Sequence, residues 1–322
     1  MDQAPHRPDR NWRQSGGEIC VLAPWLIFTV TIERGSRGDD EIYLHAGGQG
    51  FWVARMIKRL GCTPVLCASV GGETGFVVRA LVKAEEIEFR AIEGQGWNGG
   101  YVHDRRDGQR EEIAVRKSRK LNRHELDDLY DAALTTGLRA GVAVLTGLID
   151  EEILPADFFR RLALDLDANN VKVVADLSGA PLAALKGGVS FLKVSHEELI
   201  DGDHSDTDDR TAIIKGIRSL SESAGARNVV VSRAEQPGLA LLGDRLVEFA
   251  APRFEPLDHR GAGDSMTAAL AVAEARGLTD EDALRLGAAA GALNVTRHGL
   301  GTGDFRDIQE IAKLVTVREI ED

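Results

Sequence analysis

The sequence predicts an α/β protein: a doubly wound, mainly parallel sheet flanked by helices, with a small β lid. Three observations carry this. Through the middle of the chain short apolar runs alternate with helical patterns, as βαβ units with strands buried on both faces require. Two polar, turn-rich stretches, roughly 28–45 and 88–118, break that rhythm and read as a separate β element. The 322 residues, 43% of them hydrophobic, suffice for one such domain.

"EICVLAP" is a short apolar run and the expected first strand. "LIFTVTIERG" and "SRGDDEIYLHAGG" read as two strands joined by a polar turn. In "GGQGFWVARMIKRLG", Val53, Met56, Ile57 and Leu60 recur at helical spacing, and Gly61 stands where a helix stops. "TPVLCASVGG" is a strand and "TGFVVRALVKAEE" a helix. Residues 87–115 alternate and are polar, the pattern of an antiparallel ribbon outside the core. Then follow helix "RHELDDLYDAALTTGLR", strand "AGVAVLTG", helix "PADFFRRLALDLDANN", strand "VKVVADLSG", short helix "PLAALKG", strand "VSFLKVS" and short helix "HEELIDG". Helix "TAIIKGIRSLSESAG", strand "RNVVVSRA" and hairpin "GLALLGDRLVEFAAP" come next. The last third is helical: 263–276, 279–297, and a terminal helix from about Phe305. Residues 1–17 have no apolar core segment and read as a flexible tail, leaving 18–322 as the domain.

With 39 basic and 51 acidic side chains the formal charge is −12, which argues against broad nucleic-acid binding but not against a local anion site. Cys20, Cys62 and Cys67 are odd in number and form no CxxC pair, so a reduced, cytoplasmic setting is expected. No run approaches the roughly 20 apolar residues of a membrane span.

"GQGWNG" (94–99) has the G-x-G-x-x-G spacing, but strand and turn follow it where a dinucleotide site needs a helix. No Walker pattern occurs. "DGDHSDTDD" (201–209) is acidic but lacks the closing glutamate of a calcium loop, and a solvated loop is the better reading. "RGAGDSMTAAL" (260–270) is different. Gly261, Ala262 and Gly263 let a ligand approach backbone amides, and the helix that follows points its unpaired N–H groups at the same place. Asp264 is either the cap of that helix or a base beside an anion hole. A cap needs no Gly-Ala-Gly before it. The combination suits phosphoryl transfer: Asp264 takes the proton of an attacking hydroxyl, and the 261–264 amides stabilise the moving phosphoryl group. Arg260 and Arg233 are candidates to reach that phosphate, with exposed arginine as the alternative. His45 and His103 fall in the lid stretches and His259 in the catalytic loop, at no metal-ligand spacing.

These residues resemble the second signature of the PfkB, or ribokinase-like, carbohydrate kinases: Asp258, Gly261, Ala262, Gly263 and Asp264 stand at D-x-x-G-A-G-D. Residues 45–75 resemble the first signature, about 200 residues earlier, and the GGETG ending is similar to the 1-phosphofructokinase and tagatose-6-phosphate kinase branch. The likeness extends to "VVADLSG", "FLKVSHEEL" and "AAAGALNVTRHG". It implies a ribokinase-like fold with a β lid that serves many members as a homodimer interface. It implies ATP and Mg²⁺, and leaves a monovalent cation open. Asp264 matches the base and Gly261–Gly263 the anion hole. Glu198 matches the glutamate that organises magnesium through water, Ser195 replaces that motif's asparagine, and Lys193 matches the lysine before it. Ser232 lies where the nucleotide loop begins, and family placement puts the base near Ala289–Asn294.

The acceptor side departs from the family. Thr29 and Trp25 stand where an aspartate and an asparagine are expected, and Gln49 and Trp52, after Gly47 and Gly48, replace lysine and asparagine. Trp97 replaces an arginine that helps bind a sugar phosphate. Either the tryptophans belong to the core or lid interface, or the pocket stacks a flatter, less phosphorylated acceptor such as a nucleoside or free sugar. The expected activity is ATP-dependent phosphorylation of an alcohol on a small molecule, with loss of the family's cations speaking against a sugar phosphate. The alternative is a catalytically weak relative that senses nucleotide or ligand.

Overall fold

The computed structural model describes residues 16–148, 153–297 and 299–321. Apart from Gly16 and Gly17, the expected tail lies outside them. The first strand, β1 (Glu18–Leu22), is apolar on both faces because both are covered: Ile19 and Val21 enter one core, Cys20 and Leu22 the other. A hairpin of β2 (Ile27–Arg34) and β3 (Asp40–Gly47) precedes α1 (Gln49–Arg59). The helix stops where expected, with Gly61 at φ +82°. There follow β4 (Thr63–Val70), α2 (Gly72–Ala84), β5 (Glu88–Glu93), β6 (Gly100–Asp104) and β7 (Glu111–Arg116).

The βαβ rhythm then appears as expected: α3 (Arg123–Ala140), β8 (Val142–Thr146), α4 (Ala156–Asp167), β9 (Lys172–Asp176), α5 (Gly179–Ala184), β10 (Val189–Ser195), α6 (His196–Asp201), α7 (Arg210–Ala224) and β11 (Ala226–Arg233). A hairpin of β12 (Gln236–Leu242) and β13 (Arg245–Ala250) leads to α8 (Ala262–Ala275), α9 (Asp280–Asn294), α10 (Phe305–Ala312) and β14 (Thr316–Glu319).

The main sheet has the order β14-β13-β12-β11-β10-β9-β8-β1-β4-β5. From β11 to β5 all neighbours are parallel; β12, β13 and β14 continue it antiparallel. One face packs on α1, α2, α8 and α9, the other on α3, α4 and α7. The chain winds outward from β1 in both directions, so the switch point lies between β1 and β8, where α/β folds bind ligands beyond the carboxyl ends of the strands.

The second sheet, β3-β2-β6-β7, is where the lid was expected, with two corrections. Residues 88–93 are not part of it: β5 pairs parallel with β4 as the edge of the main sheet, because its partly buried side packs on the body. The ribbon is also mixed, since β2 pairs parallel with β6. The terminal strand β14 was not anticipated.

Candidate active site

A cleft of about 740 Å³ lies between the carboxyl edge of the main sheet and the inner face of the small sheet. Asp264, Gly261, Asp176 and Glu198 line it from the body; Thr29, His45, Tyr101 and His103 line it from the small sheet. Cross-strand register explains the latter set: Thr29 stands opposite His45 on one side and Tyr101 on the other.

Helix α8 begins earlier than expected. Gly261 is its N-cap residue at φ +74°, and Asp264 is its third residue, so the cap alternative for Asp264 falls. The unpaired first-turn amides are those of Ala262, Gly263 and Asp264. A Cβ on Gly263 would stand 2.5 Å from the Lys193 Nζ, so any larger residue there displaces the lysine tip. At 261 a Cβ would press on Leu300 and on the Asn294 amide.

Below this turn sits a charge cluster. Lys193 on β10 contacts the Asp176 carboxylate at the end of β9 at 3.3 Å, and both are buried. The other Asp176 oxygen accepts from the Thr267 hydroxyl at 2.7 Å. Burial opposes the Lys193 charge, but Asp176, Glu198 and Asp264 together outweigh it and raise its pKa. Burial, then the negative charges of Asp176 and Glu198, push the Asp264 carboxyl up to about 7, against the pull of Lys193 and a hydrogen bond from Gln49. A carboxylate that titrates near neutrality suits a general base.

Ser195 and Glu198 form a capping box: the Ser195 hydroxyl accepts from the Glu198 N–H at 3.1 Å, and Glu198 Oε2 accepts from the Ser195 N–H at 2.7 Å. Both side chains are thus held in place, with Glu198 facing the cleft. Ser232 pairs with Ser195 across β10 and β11 at the sheet's carboxyl edge. Among the described residues no cluster of three or more metal-ligating side chains occurs. A Mg²⁺ ion takes one or two carboxylates and fills its shell with water and phosphate oxygens; Glu198 and Asp176 line the cleft and could serve as such carboxylates.

Other expected residues are placed differently. Asn294 is fully buried and braces the turn instead of facing the cleft: its Nδ2 donates to the Arg260 carbonyl at 2.7 Å, and its Oδ1 accepts from the Ser265 hydroxyl and the Gly301 N–H, both at 3.1 Å. Arg260 lines the cleft but is held by Asp258, its Nε donating to Oδ1 at 2.9 Å. Arg233 turns away to the Asp208 carbonyl at 2.6 Å. His259 is exposed and does not line the cleft. In the acidic 201–209 segment, Asp209 caps α7.

On the acceptor side Gly47 and Gly48 lie at the cleft, and Gly48 (φ +100°) cannot be replaced, since a Cβ would stand 1.9 Å from the Trp25 carbonyl. Gln49 bridges two parts of the site: its Oε1 accepts from the Gly147 N–H at 2.6 Å, and the same side chain hydrogen-bonds Asp264. Trp25 and Trp52 line the cleft, Trp52 under the Arg55 guanidinium at 5.8 Å. Trp97 does not: it is 42% exposed, covers the Arg116 guanidinium at 4.3 Å and donates to the Lys117 carbonyl.

The expected shortage of cations is also corrected. Arg55, Arg105 and Arg110 line the cleft besides Arg260. The ribbon over 87–115 reads as lying outside the core, yet its β6–β7 turn brings two arginines to the cleft. Asp176 was missed as well, although a carboxylate ending an apolar strand, as in "VKVVAD", is a signal for the carboxyl edge of a parallel sheet.

Residues 31–306 match the family model described as pfkB family carbohydrate kinase. The chain is 25% identical over 271 residues to the ATP-dependent 6-phosphofructokinase isozyme 2 of Escherichia coli, covering 82% of this chain and 86% of the relative. It is 29% identical over 282 residues to the 1-phosphofructokinase of Bacillus subtilis, covering 86% and 89%. Among solved structures, phosphofructokinase-2 from Escherichia coli in complex with potassium superposes with a TM-score of 0.81 at 22% identity, over 92% of this chain and 99% of that one. Ribokinase of Arabidopsis thaliana, complexed with ribose and ATP, superposes with a TM-score of 0.71 at 18% identity, over 92% and 99%.

Proposed function

The chain belongs to the pfkB family of carbohydrate kinases, and from that premise we propose that it transfers the γ-phosphoryl group of ATP to an alcohol of a carbohydrate acceptor, with Asp264 as general base. The observation that carries this is the carboxyl of Asp264, raised to about 7, on the first turn of α8 at the cleft between the sheets. The comparisons lend no support to the sensor alternative.

In this reading the acceptor hydroxyl gives its proton to the Asp264 carboxylate as its oxygen bonds to the γ-phosphorus and the bond to ADP breaks. The amides of Ala262, Gly263 and Asp264 take up the charge on the transferring group, reinforced by the positive end of α8. Lys193 keeps the carboxylates of Asp176, Glu198 and Asp264 close together without expelling them. Gln49 orients Asp264 from the acceptor side. Glu198, steadied by Ser195, and Asp176 would hold Mg²⁺ through its waters; the ion screens the phosphate charge when bound. Ser232 borders the nucleotide. Thr29, Gly47, Gly48, Trp25 and Trp52 border the acceptor, and the small sheet acts as a lid. Its outer face carries Val30, Ile32, Ile42 and Leu44 in one cross-strand patch, which supports a homodimer through this sheet.

The test is ADP release in the presence of sugars, sugar phosphates, polyols and nucleosides, with Asp264→Asn as control. Stimulation by one acceptor that the substitution abolishes supports the reading. Equal ATP binding by both proteins with no stimulated turnover overturns it.

A further inference from the structure

The β6–β7 turn carries three arginines with different fates. Arg106 faces outward, where Asp104 and Asp40 neutralise it. Arg105 and Arg110 face the cleft, together with His103. Arg105 has one loose partner, Glu33 at 3.5 Å, and Arg110 makes no ion pair among the described residues. Arg110 instead donates to Nε2 of His103. His103 is therefore the Nδ1–H tautomer, and that N–H is buried with no partner. Its ring is 3% exposed and stacks on Tyr101 at 5.5 Å.

Two guanidiniums lining one cleft, backed by a buried imidazole whose N–H has no partner, make a donor-rich wall. Its acidic neighbours are Glu33 at Arg105, and Asp258 and Glu112, whose charges favour that of Arg110; Asp258 is also paired with Arg260. Like charges on a half-buried wall call for an anion between them. Trp97, which the resemblance places where an arginine would help bind a sugar phosphate, does not line the cleft.

We infer that Arg105 and Arg110, with His103, form an anion subsite that reads a phosphate or carboxylate group on the acceptor. The inference rests on the kinase reading, and it replaces the expectation of an uncharged acceptor. Two guanidiniums can each offer paired N–H groups, which favours a phosphate monoester over a carboxylate.

The test compares fructose, fructose 1-phosphate, fructose 6-phosphate and gluconate as acceptors for the wild type, Arg105→Gln, Arg110→Gln and Arg110→Lys. The expected result is at least a tenfold higher kcat/KM for one of the anionic acceptors than for fructose. Arg110→Gln should raise the KM for that acceptor at least tenfold, with the KM for ATP within about twofold, and Arg110→Lys should recover part of the loss. A preference for the phosphate esters or for gluconate identifies the anion. The inference is overturned if fructose is used as well as all three, or if both Gln variants change charged and neutral acceptors equally. If no acceptor releases ADP, the kinase reading fails on its own, and calorimetric titration of the same compounds without ATP still decides the subsite. Binding of an anionic compound that Arg110→Gln weakens tenfold upholds it; no binding by the wild type overturns it.

Discussion

Gly263 and Lys193 occupy the same space in turn: a Cβ on Gly263 would stand 2.5 Å from the buried lysine ammonium. The anion-binding turn is therefore seated directly on the cation that balances Asp176, Glu198 and Asp264. The lysine tip must shift to make room, which loosens its 3.3 Å contact with Asp176 without breaking it. Gly263→Ala is expected to lower kcat at least tenfold while the melting temperature moves by only about 2–4 °C. Parallel rate and thermal-melt measurements check this, and an unchanged kcat would separate the turn from the chemistry.

The Asp264 carboxyl, pushed up to about 7, fixes the acid limb of the pH profile. The base works when deprotonated, so log kcat/KM should rise with unit slope below about pH 7 and flatten above it. Stability has the opposite sign. The folded pKa lies above the ordinary value of 3.8, so the folded protein holds this proton more tightly and loses stability as pH rises from 3.8 to about 7. Asp264→Asn cannot acquire that charge. Its melting temperature relative to wild type should climb through this window and level off beyond it.

Lys193 is the cation facing the carboxylates of Asp176, Glu198 and Asp264. Lys193→Met should destabilise the protein by about 3–5 kcal/mol, because a buried carboxylate is left without its partner. Any residual activity should require a higher pH, since the pull that lowers the Asp264 pKa is gone. Denaturant unfolding and a pH–rate profile read the two effects separately.

Ser195 discriminates between capping and a role in holding magnesium. As a cap alone, Ser195→Ala costs about 1 kcal/mol and little activity. If its hydroxyl also holds a water on Mg²⁺, the concentration of Mg²⁺ giving half-maximal rate should rise severalfold, with the KM for the acceptor unchanged. A magnesium titration of the variant decides.

Gly48 is the most constrained acceptor-side position. With φ at +100° and a carbonyl 1.9 Å from any Cβ, Gly48→Ala should be destabilised by at least about 2 kcal/mol and expressed poorly. Thermal melting of whatever soluble protein is recovered tests this.

The body of the fold and the catalytic turn could be read from the chain because their signals are local. Apolar runs such as "VAVLTG" and "VKVVAD" need cover on both faces, and Gly-Ala-Gly-Asp before a helix is a compact chemical statement. What escaped was set by distance. β5 looks like ribbon because an edge strand is half exposed and alternates. Nothing near Asn294 in sequence shows that Arg260, 34 residues earlier, will claim its amide. The placement of Arg105 and Arg110 depends on how the β6–β7 turn meets the body, so a polar ribbon that reads as lying outside the core contributes a cationic wall to the cleft.

The central claim, that Asp264 activates an acceptor alcohol toward ATP, is tested most directly by following γ-³²P from labelled ATP into the acceptor with wild type and Asp264→Asn. ATP binding by the two proteins is measured alongside. The account predicts equal ATP binding, a labelled phosphoester made by the wild type, and transfer reduced at least a thousandfold in the variant. Transfer within tenfold of wild type would contradict it.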